Sequence, residues 1–370
     1  MEQQSATLKT TPLHSRHIAA GAKMVPFAGW EMPLEYAGIE EEHRAVREHA
    51  GLFDVSHMGR IILSGPDTAA FIGRVFTGDV DSMKIGDLLY GFLLNPEGCI
   101  IDDVVVGKSG DSMFYIVVNA SNADKALDWL NSNRGKDKTF CIRATDLYMQ
   151  IALQGPESEE ILSEVTGLDL SGLGFYKSIL PRFGGNEMLI CRSGYTGEDG
   201  FELYAVPEVI IPLWDALLAT GRVSPCGLGC RDTLRFEAGL PLYGNELSEE
   251  ITPVEASLSS FVKLDKARDF IGREAVAARK AAGPRRKLVG LELHGPGIAR
   301  HGYPVVDAEG REVGTVTTGY LSPTLGKALA MAMVDADLAT LGTELAVQVR
   351  RRTIPATVVK KRFYTPRYKR

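Results

Sequence analysis

The segment Arg192-Ser-Gly-Tyr-Thr-Gly-Glu-Asp-Gly-Phe-Glu-Leu-Tyr204 sets glycines among acids and aromatics, a mixture that a plain connection between elements does not need. Gly194, Gly197 and Gly200 recur every third residue, which suits a constrained turn able to approach a ligand closely. The flanking runs, Met188–Arg192 and Phe201–Val206, read as strands. In the second of them a period of two puts Phe201, Leu203 and Ala205 on one face and Glu202 and Tyr204 on the other. Glu202 is then a carboxylate on an ordered element beside Tyr195, able to accept hydrogen bonds from a donor-rich ligand; the plainer alternative is a hairpin whose acids face water.

A second group lies in Asn95-Pro-Glu-Gly-Cys-Ile-Ile-Asp-Asp-Val-Val-Val106. Proline second and glycine fourth in Asn95–Gly98 suit a type I turn. The strand that follows carries two aspartates inside an apolar run, where a carboxylate is costly to bury. Alternation places Asp102 and Asp103 on opposite faces, so the expectation is that they do not share a pocket as a dyad. A turn near Ser109–Asp111 should return the chain through Phe114–Val118 to Asn119, adding an amide beside the same sheet. One aspartate could equally be structural, pinning the turn or pairing with an arginine.

The third group is Cys226-Gly-Leu-Gly-Cys-Arg-Asp-Thr-Leu-Arg-Phe-Glu-Ala-Gly239, which reads as helical with Arg231 and Arg235 one turn apart. A guanidinium there can fork onto a ligand carboxylate, or pair internally with Asp232 or Glu237. Two basic stretches, Arg350–Arg352 and the tail Lys360–Arg370, stand out in a chain of net charge −6 and suggest an anionic ligand or acidic partner.

The elements holding these groups belong to a chain of 370 residues, 45% hydrophobic and 24% charged, enough for two or three domains with real cores. The chemistry-bearing segments lie in a region of alternating helix-like and strand-like stretches, such as a helix over 67–76 and a strand over 99–107. Arg279–Lys287, charged and containing Gly-Pro, reads as a linker. Beyond it, short strands near 288–293, 312–318, 345–349 and 356–359 imply a small β-rich unit. No apolar run is long enough to span a membrane, and the first residues lack the pattern of a secretory or transit leader, so a cytoplasmic protein is expected. Five cysteines without a Cys-x-x-Cys, and seven scattered histidines, signal neither a disulfide framework nor a metal site. The sequence has no P-loop, and Cys226-Gly-Leu-Gly-Cys230 is an incomplete dinucleotide fingerprint.

Taken together, Lys23-Met-Val-Pro-Phe-Ala-Gly-Trp30 with Met32-Pro-Leu34, Gly51-Leu-Phe-Asp-Val-Ser-His-Met58, Ile101-Asp-Asp103, Ser193–Gly200, Gly229-Cys-Arg-Asp-Thr-Leu-Arg235, Leu242-Tyr-Gly-Asn-Glu246 and Ser322-Pro-Thr-Leu-Gly326 resemble the glycine cleavage T-protein family, tetrahydrofolate-dependent aminomethyltransferases. The stretches run in family order from about residue 11 to the C-terminus. The resemblance implies an α+β, multi-domain fold: residues 1–282 as two interleaved α+β subdomains that bind folate, and residues 283–370 as a C-terminal β-barrel.

The resemblance also assigns roles. Asp102 would be the essential carboxylate at the reacting nitrogen of the folate. Met58, Tyr90, Asn119, Tyr195, Glu202, Arg231 and Tyr368 would contact the folate, with Glu202 at the pterin edge and Arg231 on the glutamate tail. The implied reaction passes the methylene carbon of an aminomethyl group, carried on the lipoyl arm of H-protein, to tetrahydrofolate as acceptor substrate. Ammonia, methylenetetrahydrofolate and dihydrolipoyl H-protein result, without a metal. P-protein and L-protein would be functional associates, with no nucleic acid and no membrane among the partners. Two positions depart from the family pattern: Cys99 follows Gly98 where a second glycine is usual, and Phe261 replaces a usual tryptophan. The rivals are a folate-dependent demethylase with a small-molecule donor, an iron–sulfur assembly relative whose Lys-Gly-Cys-Tyr-x-Gly-Gln-Glu signature is absent, and a basic-tailed nucleic-acid binder, which the acidic balance disfavours.

Overall fold

A computed structural model describes residues 7–369; residues 1–6 of the leader reading and Arg370 of the basic tail lie outside it. Two large sheets, a barrel and two hairpins, Lys23–Phe27 with Trp30–Glu35 and Arg182–Phe183 with Asn186–Glu187, build the described residues. The first sheet has five strands in the order Leu88–Leu94, Ile100–Gly110, Met113–Val118, Gly59–Ser64, Phe140–Arg143. The second has six, in the order Ser178–Ile179, Leu189–Cys191, Gly200–Ala205, Met149–Gln154, Gly51–Asp54, Ser224–Cys226, the last pair parallel.

Each sheet buries one face under helices. Thr68–Val75 and Ala123–Arg134 cover the first, where Phe71, Ile72 and Leu130 meet Phe114 and Ile116. Ser158–Thr166 and Pro207–Ala219 cover the second, where Ile161, Leu213 and Trp214 meet Ile151, Phe201 and Leu203. Phe201, Leu203 and Ala205 all join that core, as their alternation requires, while Tyr204 turns the other way. There it packs with Leu88, Val117 and Cys191, so the two sheets meet across their opposite faces, with half-buried Met58 wedged in the contact.

The linker expectation is corrected in extent. A helix runs Arg273–Ala282 and takes up half of the charged stretch, because Arg273-Glu-Ala-Val-Ala-Ala-Arg-Lys-Ala-Ala282 is rich in helix formers. It stops at Gly283, whose φ of 78° lies in the left-handed region. The first barrel strand starts at Arg286, and six strands close: Arg286–Leu293, Ala328–Asp335, Glu312–Leu321, Pro304–Val306, Glu344–Val349, Arg352–Val359. Leu291, Val305, Val347 and Ala356 fill the interior.

A buried polar hub ties these parts together. Arg47, on helix Ile39–Glu48, donates to Glu198 at 3.0 Å and Glu237 at 3.1 Å. Glu237 also accepts from Ser322 and Thr324 at the barrel edge, and Glu198 accepts from Tyr364 of the tail. The family-like Ser322–Gly326 stretch is thus a joint between barrel and body. Among the described residues, no helix is long and apolar enough to cross a membrane.

Candidate active site

Strand Ile100–Gly110 carries both aspartates. Asn119, just past the end of the neighbouring strand, donates its amide Nδ2 to Asp102 Oδ1 at 2.8 Å and to Asp103 Oδ1 at 2.7 Å. The two carboxylates keep separate surroundings, as alternation expects, but they are not isolated from each other: one amide bridges them. The pairing register shifts between Leu93 and Leu94, opposite Ile100–Asp102, and such a bulge re-aims the side chains next to it.

The two carboxylates differ in what surrounds them. Asp102 has no exposed surface; Asn122 Nδ2 donates to it at 2.7 Å and the Asn119 backbone N–H at 3.1 Å. Asp103 is half-buried and accepts from Tyr90 Oη at 3.0 Å. Its charge also reaches Tyr176 and Tyr195, and burial together with that charge raises all three tyrosine hydroxyls. Burial raises both carboxyls above the usual carboxylate range, and for Asp102 the neighbouring Asp103 adds to the rise. The residue expected at the reacting nitrogen, Asp102, thus sits behind Asn119 and Asn122, and Asp103 is the carboxylate that faces the tyrosines.

Glu202 shares a neighbour with Asp103, since Tyr176 lies within electrostatic reach of both. Gln150 Nε2 donates to it at 3.1 Å and Ser193 Oγ at 2.6 Å, which fixes its orientation, and its charge reaches Tyr176. The hairpin that presents it needs its glycines. A Cβ on Gly194 would meet Gln154 Oε1 at 1.9 Å, one on Gly200 would meet the Leu153 carbonyl at 2.5 Å, and Gly197 has φ +84°.

The two arginines of helix Leu228–Glu237 separate cleanly. Arg235 is saturated, donating to Asp232 at 2.6 Å, Glu246 at 2.8 Å and Thr318 at 2.9 Å. Arg231 lies over the Tyr195 ring, 4.7 Å from its centre, and among the described residues no carboxylate holds it. Burial lowers its pKa, so the bare guanidinium favours an arriving anion.

Aromatic walls complete the locus. Tyr90 meets Phe261 edge-on at 4.9 Å, so the phenylalanine that replaces the family tryptophan lies against a proposed folate contact. Tyr368 stacks on Phe175 at 4.1 Å, and Phe175 in turn lies 4.8 Å from the Tyr176 ring. Cys99 stays at the turn, its N–H on Asn95 Oδ1 at 2.8 Å.

Sequence reasoning missed Asn122, Gln150, Phe175 and Tyr176. Only Tyr176 left a trace, an aromatic after Gly172 and Gly174; it adopts φ +59°, uncommon for a bulky residue. The basic tail is largely used within the chain. Lys369 pairs with Glu159 at 2.8 Å, Arg367 lies near the Tyr364 ring, and Lys361 is buried deeply enough to lower its pKa to about 8. Arg350–Arg352 remain exposed. Buried Glu42, Cys226 and Cys230 offer ligand atoms within 4.8 Å of one another. Cys226 ends a strand rather than sharing the helix, and the Glu42 carboxylate already accepts backbone N–H groups from Tyr36, Ala37, Gly38 and Gly227.

Residues 13–266 match the family described as the GCVT N-terminal domain, and residues 286–365 match the glycine cleavage T-protein C-terminal barrel domain. A protein named aminomethyltransferase from Clostridium botulinum (strain Okra) is 46% identical over 98% of this chain and 99% of its own length. One of the same name from Alkaliphilus oremlandii is 47% identical over 97% and 98%. The crystal structure of glycine cleavage system aminomethyltransferase T from Bartonella henselae superposes with a TM-score of 0.94, covers 98% of this chain and 100% of its own, and is 36% identical.

Proposed function

The chain belongs to the glycine cleavage T-protein family and is an aminomethyltransferase, and from that premise we propose the following assignment of its site. The acceptor substrate is tetrahydrofolate, and the donor is the aminomethyl group on the reduced lipoyl arm of H-protein. The observation that carries this reading is the charge layout of the interior. Among the described residues, Asp103 and Glu202 pair with no cation and accept instead from Tyr90 and Ser193, while Arg231 pairs with no carboxylate and lies over Tyr195. A donor-rich head joined through an aromatic ring to an acidic tail fits that layout.

In this assignment Glu202 accepts from the pterin edge and Arg231 binds the glutamate carboxylate. Met58, Tyr90, Tyr195 and Tyr368 provide the walls, and Asn119 orients the aspartate pair. The resemblance gives the reacting role to Asp102; this assignment gives it instead to Asp103, the carboxylate that Tyr90 rather than Asn122 contacts, and leaves Asp102 to hold Asn119 and Asn122 in place. The carbon leaves sulfur as an iminium-like centre. The sulfur keeps the electron pair of the broken C–S bond as a thiolate. Nitrogen of the folate attacks the carbon, and Asp103 stabilises the positive charge that develops, takes the proton this nitrogen loses and passes it to the departing amine. The amine leaves as ammonia as the second nitrogen closes on the carbon and gives up its proton to the lipoyl thiolate. Water must be excluded, since it would release the carbon as formaldehyde, so positioning supplies much of the rate. The raised Asp103 carboxyl suits proton exchange near neutral pH.

The folate region is taken to end at residue 282 and the barrel region to start at 283, supported by the stop at Gly283 and the first barrel strand at Arg286. The assignment also includes a cytoplasmic location, work alongside P-protein and L-protein, and no resident metal. The test is ammonia and methylenetetrahydrofolate production from aminomethyl-loaded H-protein plus tetrahydrofolate, with each component omitted in turn. Equal yields that require the loaded carrier support it; turnover of a small-molecule donor without the carrier would overturn it.

A further inference from the structure

The carboxylate of Glu202 is held by a chain of contacts that begins on the other sheet. Arg60 lies on strand Gly59–Ser64 of the first sheet and is 5% exposed. Its Nη2 donates to the carbonyls of Ser56 at 2.9 Å and Thr145 at 2.7 Å, and its Nη1 donates to Gln150 Oε1 at 3.3 Å. Among the described residues no carboxylate pairs with it. Burial lowers its pKa only to about 10, so a positive charge faces the amide oxygen at neutral pH.

Gln150, on strand Met149–Gln154 of the second sheet, is 1% exposed and tied down at both ends. Ser56 Oγ accepts from its backbone N–H and donates to its carbonyl, each at 3.1 Å. Its side-chain Nε2 donates to Glu202 Oε1 at 3.1 Å and to Tyr204 Oη at 3.0 Å, two residues on one face of strand Gly200–Ala205. The reverse orientation of this amide would set its NH2 against the guanidinium and its oxygen against the carboxylate, two repulsions in place of two attractions. Ser193 Oγ holds the other oxygen of Glu202 at 2.6 Å. Each carboxylate oxygen thus has one protein donor and keeps accepting capacity for a ligand.

We infer that Arg60 is a positioning residue for pterin recognition: by fixing the Gln150 amide, it sets Glu202 to accept two parallel N–H donors at once. The inference rests on the assignment of Glu202 to the pterin edge. The ring N–H and the 2-amino group of a 2-amino-4-oxo pterin are such a pair, and the network selects that edge over one with a single donor.

The experiment compares tetrahydrofolate with the analogue carrying a methyl group in place of the 2-amino group, by direct binding. For tetrahydrofolate it adds KM and kcat with loaded H-protein. The full-length proteins are native, Arg60→Met, Gln150→Met and Glu202→Gln. Gln150→Met is close in size and leaves Arg60 its two carbonyls, so it carries the test should Arg60→Met fold poorly. The native protein should prefer tetrahydrofolate by about ten- to hundredfold, the scale of a hydrogen bond to a charged group. Arg60→Met and Gln150→Met should each shrink that preference about three- to tenfold, raising KM while kcat changes by less than about twofold. Variants that weaken both ligands alike, leaving the preference intact, would show a merely structural role and overturn the inference. If Glu202→Gln at the same time loses the preference, the pterin assignment stands without the network. A preference that survives in Glu202→Gln would remove the pterin assignment itself, and the inference with it.

Discussion

Replacing Asp103 by asparagine should stabilise the folded chain at neutral pH while sharply lowering turnover. Asn119 Nδ2 is 2.8 Å from Asp102 Oδ1 and 2.7 Å from Asp103 Oδ1, so those oxygens are at most 5.5 Å apart. Two full charges at that separation repel by about 3 kcal/mol at an effective dielectric of about 20. Partial protonation and the half-exposure of Asp103 reduce this to about 1–3 kcal/mol. The amide should fit. Its oxygen can still accept from Asn119, and its nitrogen can donate to Tyr90, whose hydroxyl now donates to Asp103 at 3.0 Å.

The sign follows from the raised carboxyls. The folded state holds protons that the unfolded chain has released, so native stability falls as pH rises above the usual carboxylate range. The variant lacks one of the two groups and falls less. Thermal melts between pH 4.5 and 8.5 should therefore show the variant gaining on the native protein as pH rises, with turnover reduced about 10²- to 10⁴-fold. A stability difference that is flat with pH would refute the repulsion. An active Asp103→Asn beside an inactive Asp102→Asn would return the reacting role to Asp102.

Arg231→Met should raise the KM for tetrahydrofolate about ten- to hundredfold with a smaller effect on kcat, the cost of charge-assisted hydrogen bonds to a carboxylate; an unchanged KM would remove Arg231 from the tail site. Burial raises the Glu237 carboxyl, but His43, Ser322 and Thr324 outweigh it and hold the group down to about 2 against an ordinary 4.5. It should therefore contribute about 3 kcal/mol above pH 4.5, lost as pH falls toward 2. In urea melts, the deficit of Glu237→Gln should accordingly shrink with acidification, and a constant deficit would contradict this. Gly200→Ala sets a Cβ 2.5 Å from a carbonyl in the middle of a sheet and should cost about 1–3 kcal/mol in denaturant unfolding; a neutral effect would mean that the hairpin can shift. Phe261→Trp restores indole area beside Tyr90 and should tighten folate binding a few-fold; weaker binding would show that the site has adapted to the smaller ring.

Local rules reach far in this chain. The alternation in Phe201–Ala205, the Asn95–Gly98 turn, the barrel strands and the glycine-punctuated hairpin could all be read in one dimension, because each depends on a period or a dihedral preference set by neighbours in sequence. The family resemblance likewise lies in short motifs in fixed order. What the sequence could not decide were choices between equivalent groups. Arg231 and Arg235 share a helix with Asp232, which pairs with Arg235; Glu246 and Thr318, brought from elsewhere in the chain, complete the partners of Arg235, while among the described residues Arg231 is left without a carboxylate. Asp102 and Asp103 are adjacent acids on one strand, and a register shift with two distant asparagines buries the first and turns the second toward the tyrosines. Burial and charge pairing depend on residues far apart in the chain, so which of two like side chains meets the ligand is a property of the tertiary fold.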